Sequence, residues 1–132
     1  MGEAGLSGEA GERLRSVCRT TLGDELRSIT FFDAAGDIQQ IYLRSDLERT
    51  ADLVGFAELE RAGFDSQATY RNSQLGAYKG TVRMFENGYL TRVLGDSVGV
   101  WVTTDGMSMD RFEELVTALS SVVDDIEVAY NS

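Results

Sequence analysis

The spacing of apolar residues near the start of the chain predicts a helix. Four apolar positions fall at i, i+3, i+4 and i+8, which is one face of a helix. They are Leu14, Val17, Cys18 and Leu22. Gly23 follows, where a helix commonly ends in the left-handed conformation. We therefore predict a first helix over Gly8–Leu22, preceded by a flexible N-terminus of residues 1–7.

A change of pattern after this helix predicts a β-hairpin. Residues 26–33 are rich in β-branched and aromatic side chains, as is typical of strands, and residues 38–44 continue in the same way. Between them, residues 34–37 (Ala-Ala-Gly-Asp) are turn formers. We predict two strands, Leu26–Asp33 and Ile38–Arg44, joined by this turn.

Capping residues predict the limits of a second helix. Ser45 precedes Glu48 by three positions, which is the spacing of a capping box. At the other end, Gly63 suits the left-handed position and Phe64 is expected to fold back onto the last turn. We predict a second helix that runs from Ser45 to about Ala62.

The middle of the chain predicts an irregular loop and then a long hairpin. Residues 66–76 are polar and aperiodic, with a short extended piece expected at 68–71. Residues 77–86 and 89–94 read as strands. The Asn87-Gly88 pair between them tolerates the positive φ angles of a two-residue type I′ turn.

The last third predicts one more strand and a final helix. Three valines alternate with other residues in 98–104, so this segment is expected to be the central strand. Ser108 is placed to cap the helix that follows. The apolar stripe of that helix is Met109, Phe112, Leu115, Val116, Leu119 and Val123. We end the domain at residue 125 and expect a C-terminal tail over 126–132.

Together these elements predict a single α+β domain over residues 8–125. Their order is α-β-β-α-β-β-β-α, which suggests about five antiparallel strands with three helices covering the apolar face of the sheet. A chain of 132 residues is too short for a second hydrophobic core that stands alone.

This order of elements resembles the roadblock/LC7 domains of the profilin-like group. Their final meander and helix are similar to residues 81–104 followed by residues 112–123. The resemblance covers most of the chain by topology. It implies a non-catalytic domain that dimerises through its sheet and a helix and serves as a platform for small GTPases or motor complexes. The capped second helix and the polar segment 66–76 depart from the commonest roadblock form.

Three short sequences resemble a family of small haloarchaeal proteins. They are Gly23-Asp-Glu-Leu-Arg-Ser28, Tyr42-Leu-Arg-Ser-Asp-Leu47 and Gly88-Tyr-Leu-Thr-Arg92. That family has no established activity, so this resemblance assigns no functional residues.

The charge balance indicates adaptation to concentrated salt. The chain has 22 acidic and 12 basic residues, a net charge of −10, and Lys79 is its single lysine. Salt screens the self-repulsion of so acidic a surface, and arginine pairs bidentately with carboxylates. The alternative interpretation is a mesophilic acidic protein that favours arginine.

The residue inventory excludes several classes of function. The chain has no histidine, which removes Ser-His and Cys-His catalytic pairs and most zinc sites. It has no glycine-rich phosphate loop, and Cys18 is expected to be a buried hydrophobic residue. We therefore expect no enzyme, no catalytic residue, no metal and no cofactor.

Charge and hydropathy also restrict the partners. The acidic surplus disfavours nucleic acid, which needs a clustered basic surface, and no apolar run approaches the length of a membrane span. We expect a cytoplasmic protein that binds neither nucleic acid nor membrane.

One group of residues remains as a candidate contact site. The two-residue turn at Asn87-Gly88 places Arg83 directly opposite Arg92 on one face of the sheet. Because like charges so placed repel, two interpretations stay open. Either acidic side chains of the protein lie between the arginines, or the arginines, together with Arg71, bind an anionic ligand or the carboxylates of a partner.

Two aromatic residues of the same hairpin region complete the candidate site. Tyr89 and Trp101 either pack in the core or contribute to a contact surface. The sequence thus favours a non-catalytic interaction or regulatory module, and the roadblock/LC7 resemblance implies a homodimer whose partner is a small GTPase or another protein. The alternative is a small-molecule sensor of the PAS or GAF kind, which requires an internal pocket.

Overall fold

A five-stranded antiparallel sheet forms the centre of the protein. The structure, a computed structural model, describes residues 6–47 and 53–130. The strands are β1 (Leu26–Asp33), β2 (Ile38–Leu43), β3 (Thr81–Phe85), β4 (Gly88–Leu94) and β5 (Val98–Thr104). Their order across the sheet is β2-β1-β5-β4-β3. The predicted central position of the last strand is therefore confirmed, and β2 and β3 are the two edges.

Three long helices and one short helix accompany the sheet in the described residues. They are α1 (Gly8–Leu22), α2 (Leu53–Arg61), α3 (Gly63–Ser66) and α4 (Met109–Tyr130). Single 3₁₀ turns lie at Gly23–Glu25 and Gln67–Tyr70. The predicted α+β fold is confirmed. The bounds of α1 are those predicted, and the Ser7 hydroxyl caps this helix by accepting a hydrogen bond from the Ala10 N–H.

The hydrophobic core has two parts, one on each face of the sheet. On one face the valines of β5 and the apolar residues of β1 pack against α1 and α4. On the other face Trp101 packs with Phe32 and with Phe56 of α2. Full burial of a side chain of this size contributes about 1.5 to 3 kcal/mol. Helices thus cover both faces, whereas the sequence predicted one covered face.

Several element limits differ from the prediction. β2 ends at Leu43, and β3 begins at Thr81 because residues 77–80 belong to the preceding loop. The extended piece expected at 68–71 is wrong, since a 3₁₀ turn occupies most of it. Helix α4 continues to Tyr130 through residues assigned to a tail, because Ile126 is buried against the core and Tyr130 packs on Phe31.

The predicted limits of the second helix were partly wrong. Gly63 does not take the left-handed conformation but begins α3. Glycine is required at this position because of close packing. A Cβ atom at this position would overlap the guanidinium group of Arg92. The predicted helix start at Ser45 is also wrong, because residues 45–47 form a turn in which the Leu47 N–H donates to the Arg44 carbonyl oxygen. Glu48 of the predicted capping box lies outside the described residues, as do residues 1–5 of the expected N-terminal segment.

The turn of the last hairpin is displaced by one residue from the prediction. Phe85 pairs with Gly88, so Glu86 and Asn87 form the two-residue loop, and Gly88 is not at positive φ. A Cβ atom on Gly88 would overlap the carbonyl oxygen of Thr104 on the neighbouring strand. The glycine is therefore required by close packing between strands and not by turn geometry.

Three further features of the described residues concern the cysteine, metal binding and membrane spanning. Cys18 is fully buried, and burial raises the pKa of its thiol to about 12. No group of three or more metal-ligating side chains occurs in residues 6–47 and 53–130. Within the same ranges no helix is long and apolar enough to cross a membrane.

Candidate functional site

The two arginines of the last hairpin lie on one face of the sheet with a glutamate between them. The glutamate is Glu60, in the last turn of α2, and only 1% of it is exposed. Arg83 donates from Nε to Glu60 Oε2 at 2.6 Å, and Arg92 donates from Nη1 to Glu60 Oε1 at 2.9 Å. An acidic side chain of the protein itself thus separates the guanidinium groups, which is the first of the two interpretations given above.

The displaced turn changes how the arginines face each other. Arg83 pairs with Leu90, and Arg92 pairs with Thr81. The arginines are therefore diagonal neighbours on one face instead of directly opposite residues. This spacing leaves room for one carboxylate to bind both guanidinium groups.

Arg92 is held entirely by the interior of the protein. Its Nη2 donates to the Tyr78 hydroxyl at 2.9 Å and to Thr81 Oγ1 at 3.0 Å, and Gly63 packs against its guanidinium plane. Only its buried Nε lacks a partner in the described residues. Because Arg92 is 5% exposed, it is not accessible to an external ligand.

Arg83 lies at the rim of the same cluster. Its side chain is 35% exposed, and the hydrogen bonds to Glu60 use Nε and Nη2. The hydrogen bond with Glu60 raises the pKa of Arg83, so its charge is retained. Two guanidinium groups against one carboxylate leave the cluster with one surplus positive charge, and that surplus reaches the surface at Arg83.

The other three predicted residues do not join this cluster as one site. Trp101 pairs with Arg92 across β4 and β5 but is buried in the core. Tyr89 lies on the opposite face, where its ring meets Phe112 of α4 edge-on. Arg71 is exposed in the loop after the second 3₁₀ turn.

The free edge strand β3 carries an apolar surface. Val82, Met84 and Phe85 are exposed, with Met84 at 78%. Phe56 of α2 stacks on Phe85 at a centroid distance of 6.2 Å, so α2 lies beside this edge. The same helix exposes Leu59. Apolar side chains beside an unpaired strand edge are typical of a surface that adds another strand.

This edge belongs to a segment without acidic residues, a signal in the sequence that our sequence analysis missed. Residues 66–85 contain no Asp or Glu, and they contain Arg71, Lys79 and Arg83. The other 112 residues hold all 22 acidic residues against nine of the twelve basic ones, which gives them a net charge of −13. We call residues 66–85 the acid-free segment.

A groove lies on the α2 face of the sheet. Its volume is about 640 Å³, and its lining includes Phe56, Phe85, Trp101 and the polar residues Thr30 and Thr103. The Thr30 hydroxyl is buried and has no partner in the described residues. The groove is half open, and Leu47 at its rim precedes the undescribed residues 48–52.

Comparison with known proteins places the chain in a family. The profile of that family matches residues 12–124. The chain is a member of the DUF7522 family. The family is described as a domain of unknown function, and no curated protein matches this DUF7522 chain.

Solved structures similar to this DUF7522 protein share its fold. One is an MglB with a tetrameric arrangement, at 17% identity and a TM-score of 0.63, covering 92% of this chain and 95% of that one. Another is the gliding protein MglB of Thermus thermophilus, at 18% identity and 0.61, covering 91% and 95%. A third is a roadblock/LC7 domain of Streptomyces avermitilis, at 12% and 0.57, covering 82% and 88%. The roadblock/LC7-like fold expected from the order of elements is therefore confirmed.

Proposed function

We propose that this DUF7522 protein is a non-catalytic interaction module of roadblock/LC7-like form. It acts as a homodimer joined through β3, and the dimer docks a second protein, for which a small GTPase is the first candidate class. The observation that carries the proposal is the state of the β3 edge, which is apolar, exposed and unpaired in the described residues. The fold it shares with roadblock/LC7 and MglB structures supports the same assignment.

Backbone hydrogen bonding supports pairing at this edge. Apart from the ladder with β4, no hydrogen bond within residues 6–47 and 53–130 uses a backbone group of Thr81–Phe85. A second strand satisfies those groups, and an antiparallel pair about a two-fold axis uses the same patch on both copies. The dimer therefore needs no surface beyond β3 and the adjoining α2.

Charge supports the same edge. Two copies that each carry a net charge of −10 repel, so a contact between them is favoured where acidic residues are absent. β3 lies wholly within the acid-free segment. Apolar contacts also persist at high ionic strength, whereas attraction between charges is screened. An apolar dimer contact is therefore suited to the cytoplasm of a salt-accumulating cell, where we propose that the protein acts.

Light scattering on a matched pair of variants tests the dimer. Met84 on β3 and Met109 on α4 are exposed to 78% and 77%. We expect wild type and Met109→Asp to have the mass of two chains, and Met84→Asp the mass of one, in both 0.15 M and 2 M NaCl. A wild-type monomer in both salts, or a Met84→Asp dimer, would refute the proposal.

Co-purification from the native host at high salt tests the partner class. We expect a small GTPase among the proteins retained by wild type and lost with Met84→Asp, while Met109→Asp retains it. Recovery of the same proteins with both variants counts against docking on the dimer.

The groove beneath Phe56 supports a second candidate, a small-molecule sensor of the PAS or GAF kind. A buried unpartnered hydroxyl beside Trp101 offers one polar and one aromatic contact to a ligand. Native mass spectrometry of protein purified from its host tests this. A bound mass that Thr30→Val removes supports the sensor, and an unliganded chain under these conditions counts against it.

A further inference from the structure

We propose that the loop of the acid-free segment, residues 67–80, binds an acidic peptide segment of a partner protein, with Leu75 as its apolar anchor. This rests on the interaction function proposed above and adds the chemistry of the partner. The binding surface is separate from the β3 edge that joins the two copies. Three observations carry it: the charge of the loop, its anchoring at both ends, and the side chains that it exposes.

The charge of the loop is opposite to that of the rest of the molecule. Arg71 and Lys79 are exposed, and no acidic residue of residues 66–85 accompanies them. Lys79 is the single lysine in the sequence. In a chain that places an acidic residue at about every fifth position elsewhere, these cations have no neighbour in sequence to neutralise them. Carboxylates supplied by a partner complement such a surface.

Both ends of the loop are tied to the sheet. At the first end Gln67 donates from Nε2 to the carbonyl oxygen of Gly95 at 3.0 Å. At the second end the Tyr78 hydroxyl accepts a hydrogen bond from the buried Arg92. It also shares a hydrogen bond with the Thr81 hydroxyl. Tyr70 stacks on Tyr78 with ring centroids 5.5 Å apart, which joins the two ends to each other.

The tip of the loop is closed by its own hydrogen bonds. The N–H of Gly76 donates to the Ser73 carbonyl oxygen, and the N–H of Leu75 donates to the Ser73 hydroxyl. Asn72 has a positive φ angle of 66° within a further turn, in which the Ser73 N–H donates to the Tyr70 carbonyl oxygen, and Gly76 has a φ angle of 95°. The loop is thus ordered before it binds, so binding costs less conformational entropy.

The ordered tip presents an apolar side chain to solvent. Leu75 is 97% exposed, and Tyr70 behind it is 52% exposed. Single exposed apolar residues are common on protein surfaces. Here, however, the leucine lies midway in sequence between the two exposed cations, on an anchored loop. This combination fits a short segment that carries an apolar residue flanked by Asp or Glu.

The negative charge of the residues outside the acid-free segment favours a short peptide over larger anionic ligands. A nucleic acid or an anionic membrane extends beyond the 20 residues of this segment and meets the other 112 residues, whose net charge is −13. Repulsion over that area opposes binding. A short acidic peptide can be confined to the loop.

Selection from a random 12-residue peptide display library tests the proposal with wild-type protein as bait in both 0.15 M and 2 M NaCl, because the proposed setting is rich in salt. We expect enriched peptides to carry several Asp or Glu residues around an aliphatic residue. Their affinity, measured by fluorescence anisotropy, should fall about tenfold for Arg71→Glu/Lys79→Glu and for Leu75→Ser. Arg111→Glu, at an exposed arginine outside the segment, is the matched control and should change the affinity less than twofold.

Three outcomes overturn the proposal. They are a library without enrichment, enriched peptides without acidic residues, and equal affinity for wild type and Arg71→Glu/Lys79→Glu. Vesicles of phosphatidylglycerol that bind wild type but not this double variant, without peptide enrichment, would also overturn it in favour of lipid. Light scattering on the same samples separates this failure from failure of the dimer, because the double variant leaves β3 intact and should remain dimeric.

Discussion

The two edges of the sheet differ in how far the rest of the molecule protects them against pairing with another strand. β2 contains a β-bulge at Ile41. The carbonyl oxygen of Ile41 accepts hydrogen bonds from Nε and Nη2 of Arg15 in α1, at 3.1 and 2.8 Å. β3 pairs with β4 in a regular register, and no described group outside that ladder hydrogen-bonds to its backbone. Bulges and covering side chains discourage the addition of a strand. The molecule therefore blocks one edge and leaves the other open.

The open edge is ordered by contacts from within the molecule. β3 is exposed on its outer side but is held from within, because Glu60 of α2 binds Arg83 of β3 and Arg92 of β4. β2 depends instead on the hairpin turn after β1, which Asp33 organises. Each edge is thus supported by its own buried carboxylate, β3 by Glu60 and β2 by Asp33.

Removal of Glu60 should have the largest effect on stability. Glu60→Ala leaves two guanidinium groups, one of them buried, without a counter-ion, so we expect the free energy of unfolding to fall by about 3 to 5 kcal/mol. Urea unfolding measures this. Glu58→Ala, at an exposed position of the same helix, should cost less than about 0.5 kcal/mol. Similar losses for both variants would show that the buried cluster does not anchor β3.

A methyl group at Gly88 tests the register of the open edge. Gly88→Ala must push β4 away from the Thr104 carbonyl oxygen, so we expect a loss of about 1 to 3 kcal/mol in the free energy of unfolding. Gly106→Ala meets no atom within 4 Å and is the matched control. If the two substitutions are equally tolerated in thermal unfolding, Gly88 does not lie against the Thr104 carbonyl oxygen and the register described here is wrong.

Asp33 should make the blocked edge sensitive to acid. Its Oδ1 accepts the N–H groups of Ala35, Gly36 and Asp37, and its Oδ2 accepts the Tyr130 hydroxyl at 2.5 Å. Burial alone would raise the pKa of Asp33, but these hydrogen bonds together outweigh it and lower the pKa below 3.8.

The sign of the pH dependence follows from this lowered pKa. Asp33 contributes stability above pH 3.8, and the contribution is lost as the pH falls through the lower pKa of the folded state. Asp33→Asn should cost about 1 to 2 kcal/mol at pH 7. The difference between wild type and variant should shrink below pH 3.8 in urea titrations. A difference that stays constant down to pH 2 would contradict the assignment.

Loss of the covering arginine on β2 should have the smallest effect. Arg15→Ala removes the hydrogen bonds to Ile41 from a half-exposed side chain, so we expect a loss of about 0.5 to 1 kcal/mol. The mass in light scattering should stay that of wild type, because the bulge remains. A larger assembly would show that Arg15 alone blocks this edge.

Local pattern was enough to predict most of the elements. α1 and β5 have the predicted bounds because their apolar periods are long and uninterrupted. The two misread glycines have a common cause. Gly63 and Gly88 follow the rules for a helix end and a turn, yet each is required by an atom distant in sequence, Arg92 or Thr104.

The candidate site was harder to predict for the same reason. Glu60 is 23 residues from Arg83 and 32 from Arg92, so no local spacing indicates that it binds both. The sequence did predict that both arginines share one face. The acid-free segment, by contrast, was visible in the sequence from charge alone, but its place on one edge and one anchored loop required the fold.

Cys18 has a practical consequence for kinetic work. With the thiol fully buried between α1 and the sheet and its pKa near 12, almost no thiolate is available to an alkylating reagent while the domain is closed. Labelling of this single cysteine therefore reports each opening event of the native state. The rate of Cys18 alkylation therefore measures local opening of the native state, and no engineered cysteine is needed.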